Sequence, residues 1–438
     1  MRIVQLTPGA GGMYCGNCLR DNAIVAALRR HGHDVTMLPL YLPLTTDEPD
    51  QSAGSPVFFG GINVYLEQRI PFARRLPKWL HRLLDSPRLL RWVGTAAAQT
   101  HPSKVGALTV SMLRGEEGRQ ASEVDALVEW LFQHQPHPDV ISFSNALLIG
   151  PARRLKSQLG SVIAVTLQGE DCFLDALAEP HRTDAWKILA ERLAEVDLLI
   201  SPSRYYADRM AERLGLAAES IQVVPNGINL AGWRVPDAQP VQPVLGFFAR
   251  LCAEKGLDHL VDAYCRIRQR GRIPNLRLHL GGGLGPSDQP FVRAQQQRLE
   301  REGWASQVEL FPNLDHASKQ AFFRRLSVLS VPAHYGEAFG LYLLEAMASG
   351  VPVVQPDTAA FPEIIEQSQA GLLSRPNDPE DLSLRIEEVL LQPDLAARLG
   401  RAGRNAVEKR YNNVAAAHRV ADHFAAALAT RRTQPVSA

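Results

Sequence analysis

The sequence predicts an α/β protein of two domains, each built on a parallel sheet. Three observations lead there. At 438 residues the chain exceeds what one hydrophobic core usually organises. Short apolar runs suited to buried strands alternate with helix-period segments from end to end, which is the order parallel sheets require. Between Val235 and Pro243 a polar stretch carries three prolines, and a fresh strand follows at Val244–Phe248. The chain is divided there into residues 1–237 and 238–413.

The first half opens as a βαβ unit. Arg2–Leu6 is an apolar strand, Pro8 to Gly12 a glycine turn, Asn22–Arg30 a helix stopped by Gly32, and Asp34–Leu38 the next strand. A glycine turn after a first strand lets backbone approach a phosphate. The spacing Gly-Ala-Gly-Gly is not that of the dinucleotide fingerprint, which argues against a dehydrogenase. Cys15 and Cys18 form a Cys-x-x-Cys without the second pair a zinc site needs, so packing or pocket lining is favoured over redox or metal chemistry. From Tyr41 to about Gln120 prolines loosen the pattern. Within this region Arg69 to Arg91 is basic and amphipathic, fit to lie on an anionic membrane, to cover a cleft or simply to be solvated. Further strands read at Asp139–Ser144, Val162–Leu167, Val196–Ser201 and Ile221–Val224, with a helix at Val124–Phe132. The loop Pro225-Asn226-Gly227-Ile228-Asn229 follows the last of these strands.

In the second half, Arg250 and Lys255 lie just past strand Val244–Phe248, at the end where α/β sheets bind ligands. Arg can fork two phosphate oxygens and Lys adds a point charge. Strands follow at Leu276–Leu280, ending in a glycine cluster, and at Val308–Phe311. The organising stretch is PAHYGEAFGLYLLEAMASGVPVVQPD, Pro332 to Asp357. It reads as the end of strand Val328–Val331, a glycine loop, a helix carrying Leu341, Leu344 and Ala348 on one face, and a Val-rich strand. The helix N-terminus offers amides and a partial positive charge to an anion, and Gly340 has no Cβ to block approach. Glu337 and Glu345 flank that terminus and can accept bonds from sugar or ribose hydroxyls. After Gly371 a Pro/Asp-rich loop leads to helices from Glu380 onward.

Composition narrows the function classes. The formal charge is +1, from 47 Lys and Arg against 46 Asp and Glu, so no global field selects nucleic acid. No apolar run reaches the length of a membrane span. Five cysteines do not make a disulfide framework, and the opening MRIVQLTPGAGG reads as a strand and turn rather than a signal peptide. A cytoplasmic protein is expected, with peripheral contact at the inner membrane left open.

The run from Val331 to Gln355 closely resembles the Glu-x7-Glu segment of the retaining glycosyltransferases of family 4 (glycosyl transferases group 1). The string FARLCAEKG resembles that family's Arg…Glu-Lys-Gly signature, and PNGIN its loop beside the hinge. The resemblance implies the GT-B fold, two Rossmann-like domains with parallel sheets facing across a cleft, the final helix within 414–438 completing the first domain. It implies that Arg250 and Lys255 clamp a donor diphosphate and that Glu337 holds the donor sugar, these three being the expected catalytic set. Donor binding is expected at Gly11, Gly12, Phe339, Gly340, Leu341 and Glu345, with Glu345 on the ribose. Many family members carry a histidine where this chain has Gln168, which cannot shuttle a proton near neutral pH. Gln168, Glu170 and Asp171 are therefore the acceptor-side candidates, although Glu170 and Asp171 equally suit a helix cap.

The implied reaction is retaining transfer from a nucleotide-diphosphate sugar to a hydroxyl acceptor, whether glycan, lipid or small molecule. No Asp-x-Asp occurs in the chain, so no metal or other cofactor is expected to be required. The alternatives are a GT-B nucleotide-sugar epimerase and a non-catalytic nucleotide-sugar-binding protein.

Overall fold

The computed structural model describes residues 1–9, 16–46, 48–59, 105–236 and 240–433. The expectations for Gly11, Gly12, Cys15 and the basic segment 69–91 lie outside these residues. The chain forms two compact units, Met1–Pro225 with Ala416–Ala438, and Asn226–Ala415. The division falls before the PNGIN loop's asparagine, earlier than the junction at 237/238 read from the prolines. Ile228 accounts for this: its N–H donates to Tyr411 O at 3.0 Å and its carbonyl accepts from Asn413 N–H at 2.9 Å, tying the loop to the second unit.

In the first unit the described elements are β1 (Arg2–Thr7), α1 (Gly16–Arg30), β2 (Asp34–Pro39), α2 (Gly106–Leu113), α3 (Ala121–Gln133), β3 (Val140–Phe143), α4 (Ala152–Leu159), β4 (Val162–Thr166), α5 (Glu170–Asp175), α6 (His181–Leu193), β5 (Leu198–Ser201), α7 (Arg204–Leu214) and β6 (Ile221–Val223). Every strand pairing is parallel, in the order β2-β1-β3-β4-β5-β6. α1 starts six residues before the expected Asn22, because its first turns bury polar groups that carry no apolar periodicity: Arg20, Asp21 and Asn22 are all buried.

The second unit contains β7 (Val244–Phe248), α8 (Leu257–Arg270), β8 (Arg277–Gly282), α9 (Gln289–Arg301), β9 (Val308–Pro312), α10 (His316–Phe323), β10 (Val328–Leu329), α11 (Leu341–Ala348), β11 (Val353–Pro356), α12 (Phe361–Ser368), β12 (Gly371–Ser374), α13 (Pro379–Leu391) and α14 (Pro393–Lys409). The long α15 (Asn413–Thr433) then begins in this unit and from Ala416 belongs to the first. The sheet order is β12-β11-β10-β7-β8-β9, again all parallel. Counting from β7 this is the doubly wound order 3-2-1-4-5-6, whose direction reverses between β7 and β10. β10 is shorter than the expected Val328–Val331, and β12 is a strand where only a loop was expected. Four residues, Gly-Leu-Leu-Ser, three of them half-buried, leave too short a pattern to read.

The central strands of both sheets are buried on their two faces, as in parallel sheets generally, while the edge strands β9 and β12 are largely half-buried. In the first unit Ile3, Val35, Val140, Val162 and Ile200 pack with Val25 and Leu28 of α1 and with Ala417, Val420 and Phe424 of α15. Among the described residues no helix is long and apolar enough to cross a membrane.

Candidate functional site

Ligands of doubly wound sheets bind beyond the strand C-termini where the strand order reverses. In the second unit that point lies between β7 and β10, and the loops leaving these two strands carry Arg250, Lys255 and Glu337. The loop after β7 tightens into a single 3₁₀ turn, Ala253–Lys255, closed by Gly256 at φ +73°. A Cβ at Gly256 would fall 1.8 Å from the carbonyl oxygen of Pro332. Only glycine admits both that backbone angle and that approach. The two loops therefore touch backbone to backbone, and Lys255 meets Glu337.

Lys255 Nζ is ion-paired and hydrogen-bonded to Glu337 Oε2, with the side chains 19% and 13% exposed. The Tyr342 hydroxyl donates to the same oxygen at 3.1 Å. The ammonium also lies 4.9 Å from the ring centroid of Tyr335 and 5.9 Å from that of Tyr342, in cation–π range. Burial pulls the Lys255 pKa down, but the Glu337 carboxylate and Tyr335 outweigh it, so the amine is held charged. Burial pushes the Tyr342 phenol well up, so it stays a donor. Among the described residues Glu337 Oε1 has no partner and is left to accept.

Gly340 precedes α11 at φ +87°, and no side chain caps this helix start. Phe339 is buried against Tyr411, with ring centroids 6.2 Å apart, while Leu341 opens the helix. The arrangement presents first-turn amides close in sequence to Glu337, which is what an anion requires.

Arg250, expected to clamp a donor diphosphate, is paired within the protein. It forks onto Asp288, Nε to Oδ2 at 2.9 Å and Nη2 to Oδ1 at 2.8 Å, and that bond raises its pKa. Asp288 Oδ2 also accepts from Gly285 N–H at 3.3 Å. The pair thus steadies the glycine turn after β8, and Arg250 Nη1 remains for a ligand. Glu345, one turn into α11, pairs with Lys319 of α10 at 2.9 Å, both side chains about seven-eighths buried. In the loop after β9, Asn313 takes a left-handed backbone, donates its N–H to Gly282 O at 2.8 Å and accepts from Leu284 N–H at 3.0 Å.

The acceptor-side candidates sit in the first unit, after β4. Gln168 is half-buried and donates its N–H to Glu170 Oε2 at 2.7 Å. Glu170 Oε1 accepts Ala146 N–H at 2.9 Å, and Tyr206 OH lies 2.9 Å from Glu170 and 3.1 Å from Asp171. Arg209 Nε donates to Asp171 at 2.5 Å. Burial pushes the Glu170 carboxyl up. These two acids are buried and bonded into a bracing network, which leaves Gln168 as the accessible member of the three. Cys18 is buried, 3.9 Å from the Thr7 hydroxyl.

Sequence reasoning did not find Tyr335, Tyr342, Asp288 or Lys319. The two tyrosines stand inside the organising stretch and were within reach. Asp288 and Lys319 come from other segments, and only the folded chain pairs them with Arg250 and Glu345.

Residues 94–231 match the glycosyltransferase family 4 domain and residues 235–406 the glycosyl transferases group 1 domain, together most of the chain. The chain belongs to the family 4, group 1 glycosyltransferases. Glycogen synthase of Mycobacterium tuberculosis is 29% identical to this glycosyltransferase-family chain over 260 residues, 58% of the chain and 59% of the relative. The chain spans about half to three-fifths of the length of the curated relatives it matches. Among solved structures, sucrose-phosphate synthase from Thermosynechococcus elongatus superposes with TM-score 0.70 at 18% identity, covering 98% of this chain and 99% of that one. HepE of Anabaena, solved with UDP and glucose, gives 0.67 at 16% identity over 97% and 100% of the two chains. At such identities these likenesses bear on fold, and the fold is GT-B.

Proposed function

We propose that the protein transfers a sugar from a nucleoside-diphosphate sugar to a hydroxyl acceptor with retention at the anomeric carbon. The observation that carries this reading is the desolvated Lys255–Glu337 pair at the strand-order reversal of the second unit, beside the uncapped start of α11. In the reaction the bond from the anomeric carbon to the diphosphate oxygen breaks, a bond to the acceptor oxygen forms, and the acceptor proton passes to the departing phosphate. Negative charge grows on the leaving group. Lys255, Arg250 through Nη1, and the amides of Phe339, Gly340 and Leu341 stabilise it, fixed in place before the reaction begins. Glu337 Oε1 accepts from donor-sugar hydroxyls and Glu345 from the ribose. Gln168 orients the acceptor, with Glu170 and Asp171 behind it.

Cations supplied by the protein do for the leaving group what a metal does elsewhere. The donor diphosphate should therefore bind without an added divalent ion, and a metal that must bind together with the diphosphate would refute this part of the mechanism. The whole reading is tested by incubating the full chain with a panel of nucleotide sugars, UDP sugars first, with and without acceptor extracts. A glycosylated product that keeps the donor's anomeric configuration is expected. Tight donor binding with no product from any acceptor would overturn it.

A further inference from the structure

We propose that the second unit holds a divalent transition-metal ion of the zinc class at Asp258, His259 and His334. Asp258 and His259 stand on the first turn of α8, and His334 in the loop leaving β10. One ligand atom from each lies within 4.8 Å of the others. His334 Nε2 is 3.0 Å from Asp258 Oδ1, and the two imidazole rings meet edge to face with centroids 4.0 Å apart. Ligand bonds of about 2.0–2.2 Å in a tetrahedral zinc site put donor atoms roughly 3.3–3.5 Å from one another. The hydrogen-bonded pair His334–Asp258 is already inside that spacing, and His334, being exposed, is not held by packing on all sides.

The second observation is the space in front of the two histidines. His259 and His334 line a cavity of about 40 Å³ whose other walls include Pro332, Thr358, Ser374 and Arg375. That volume takes an ion with a water completing its fourth position. Two imidazoles and one carboxylate favour zinc or cobalt over magnesium and calcium, which want more oxygen ligands.

The ion's position gives it a consequence for the neighbouring site. His334 N–H already donates to Glu254 O at 3.0 Å. Tyr335, the next residue, faces Lys255, and Glu337 follows two residues later. A metal joining His334 to α8 would be a second staple between the two loops that bring Lys255 and Glu337 together. It would steady that pair without touching the reacting atoms.

The test is cobalt(II) titration of the full chain, read by its visible absorption bands, with zinc as competitor. One saturable equivalent is expected, displaced by zinc, with affinity falling tenfold or more in each of His259→Ala and His334→Ala. Absence of saturable binding, or unchanged affinity in both variants, overturns the proposal. Wild-type crystals soaked in zinc give a readout that needs no variant. An anomalous peak among the three side chains supports the site, whereas its absence there refutes it. Neither measurement depends on sugar transfer, so the site stands or falls separately from the proposed reaction.

Discussion

Lys255 and Glu337 differ in kind from the exposed ion pairs among the described residues. Arg153 and Glu195 also approach to 2.6 Å, but with side chains 42% and 41% exposed, where such pairs contribute about 0–1 kcal/mol. Breaking a desolvated pair strands a charge and costs up to about 3–5 kcal/mol. Lys255→Gln should therefore lose stability as well as turnover, and the two must be measured separately. The pH dependence identifies the cause. The folded-state pKa of Lys255 lies above its ordinary 10.5, so the pair's contribution is full below about pH 10.5 and fades as pH rises beyond it. The stability gap between wild type and Lys255→Gln should be flat from neutral pH to about 10 in denaturant melts and narrow above. A gap that does not narrow would mean the charge is not its source. The same loop allows a test on backbone. Gly256→Ala adds left-handed strain of about 1–2 kcal/mol and a collision with Pro332 O. Gly271→Ala, at φ +67° with nothing within 4 Å, adds the strain alone. The first should be distinctly less stable and bind UDP more weakly. Equal stability for both would show that the approach of the two loops is not what Gly256 protects.

α11 shows what the sequence could and could not reveal. Its start, its glycine and its two glutamates were legible because they lie within one short stretch, where loop chemistry and helix period are local. The same holds for β7, whose bounds agree with the sequence reading, and for Arg250 and Lys255 just beyond it. Strand order was not legible. That β10 lies beside β7, although more than seventy residues separate them, is decided by packing of the whole sheet, and this adjacency is what joins Lys255 to Glu337. The partner of Glu345 was hidden for the same reason, since Lys319 belongs to α10. Its presence sharpens the expectation for Glu345. The Lys319 ammonium holds Oε1 of the carboxylate, and the proposed ribose contact would fall to Oε2. Glu345→Gln keeps the shape but loses the charge-assisted acceptor, which should weaken UDP binding about tenfold by calorimetry, a loss of roughly 1.4 kcal/mol. Lys319→Met should weaken it less, through position alone. Unchanged affinity in Glu345→Gln would remove the ribose role.

The crossing of α15 from one unit to the other makes the first unit depend on the chain's last described helix. Ala417, Val420 and Phe424 pack into the core built on β1, β3 and β4, and Phe424 is 1% exposed. Arg431 adds a hydrogen bond to Ser161 O, just before β4. The first unit therefore cannot complete its core until the second has been made, although the two sheets are separate in sequence order. Truncating a buried Phe to Ala costs about 3–5 kcal/mol in transfer and cavity terms together. Phe424→Ala should accordingly lower the unfolding midpoint of the first unit while leaving UDP affinity near wild type, because the proposed diphosphate contacts of Arg250, Lys255 and α11 all lie in the second. Lys255→Gln should do the reverse, losing UDP affinity and leaving hydrogen-exchange protection of β1, β3 and β4 untouched. Exchange mass spectrometry with calorimetry on both variants resolves the two effects. If Phe424→Ala abolished UDP binding while the second unit kept its exchange protection, the assignment of the diphosphate to that unit alone would be wrong.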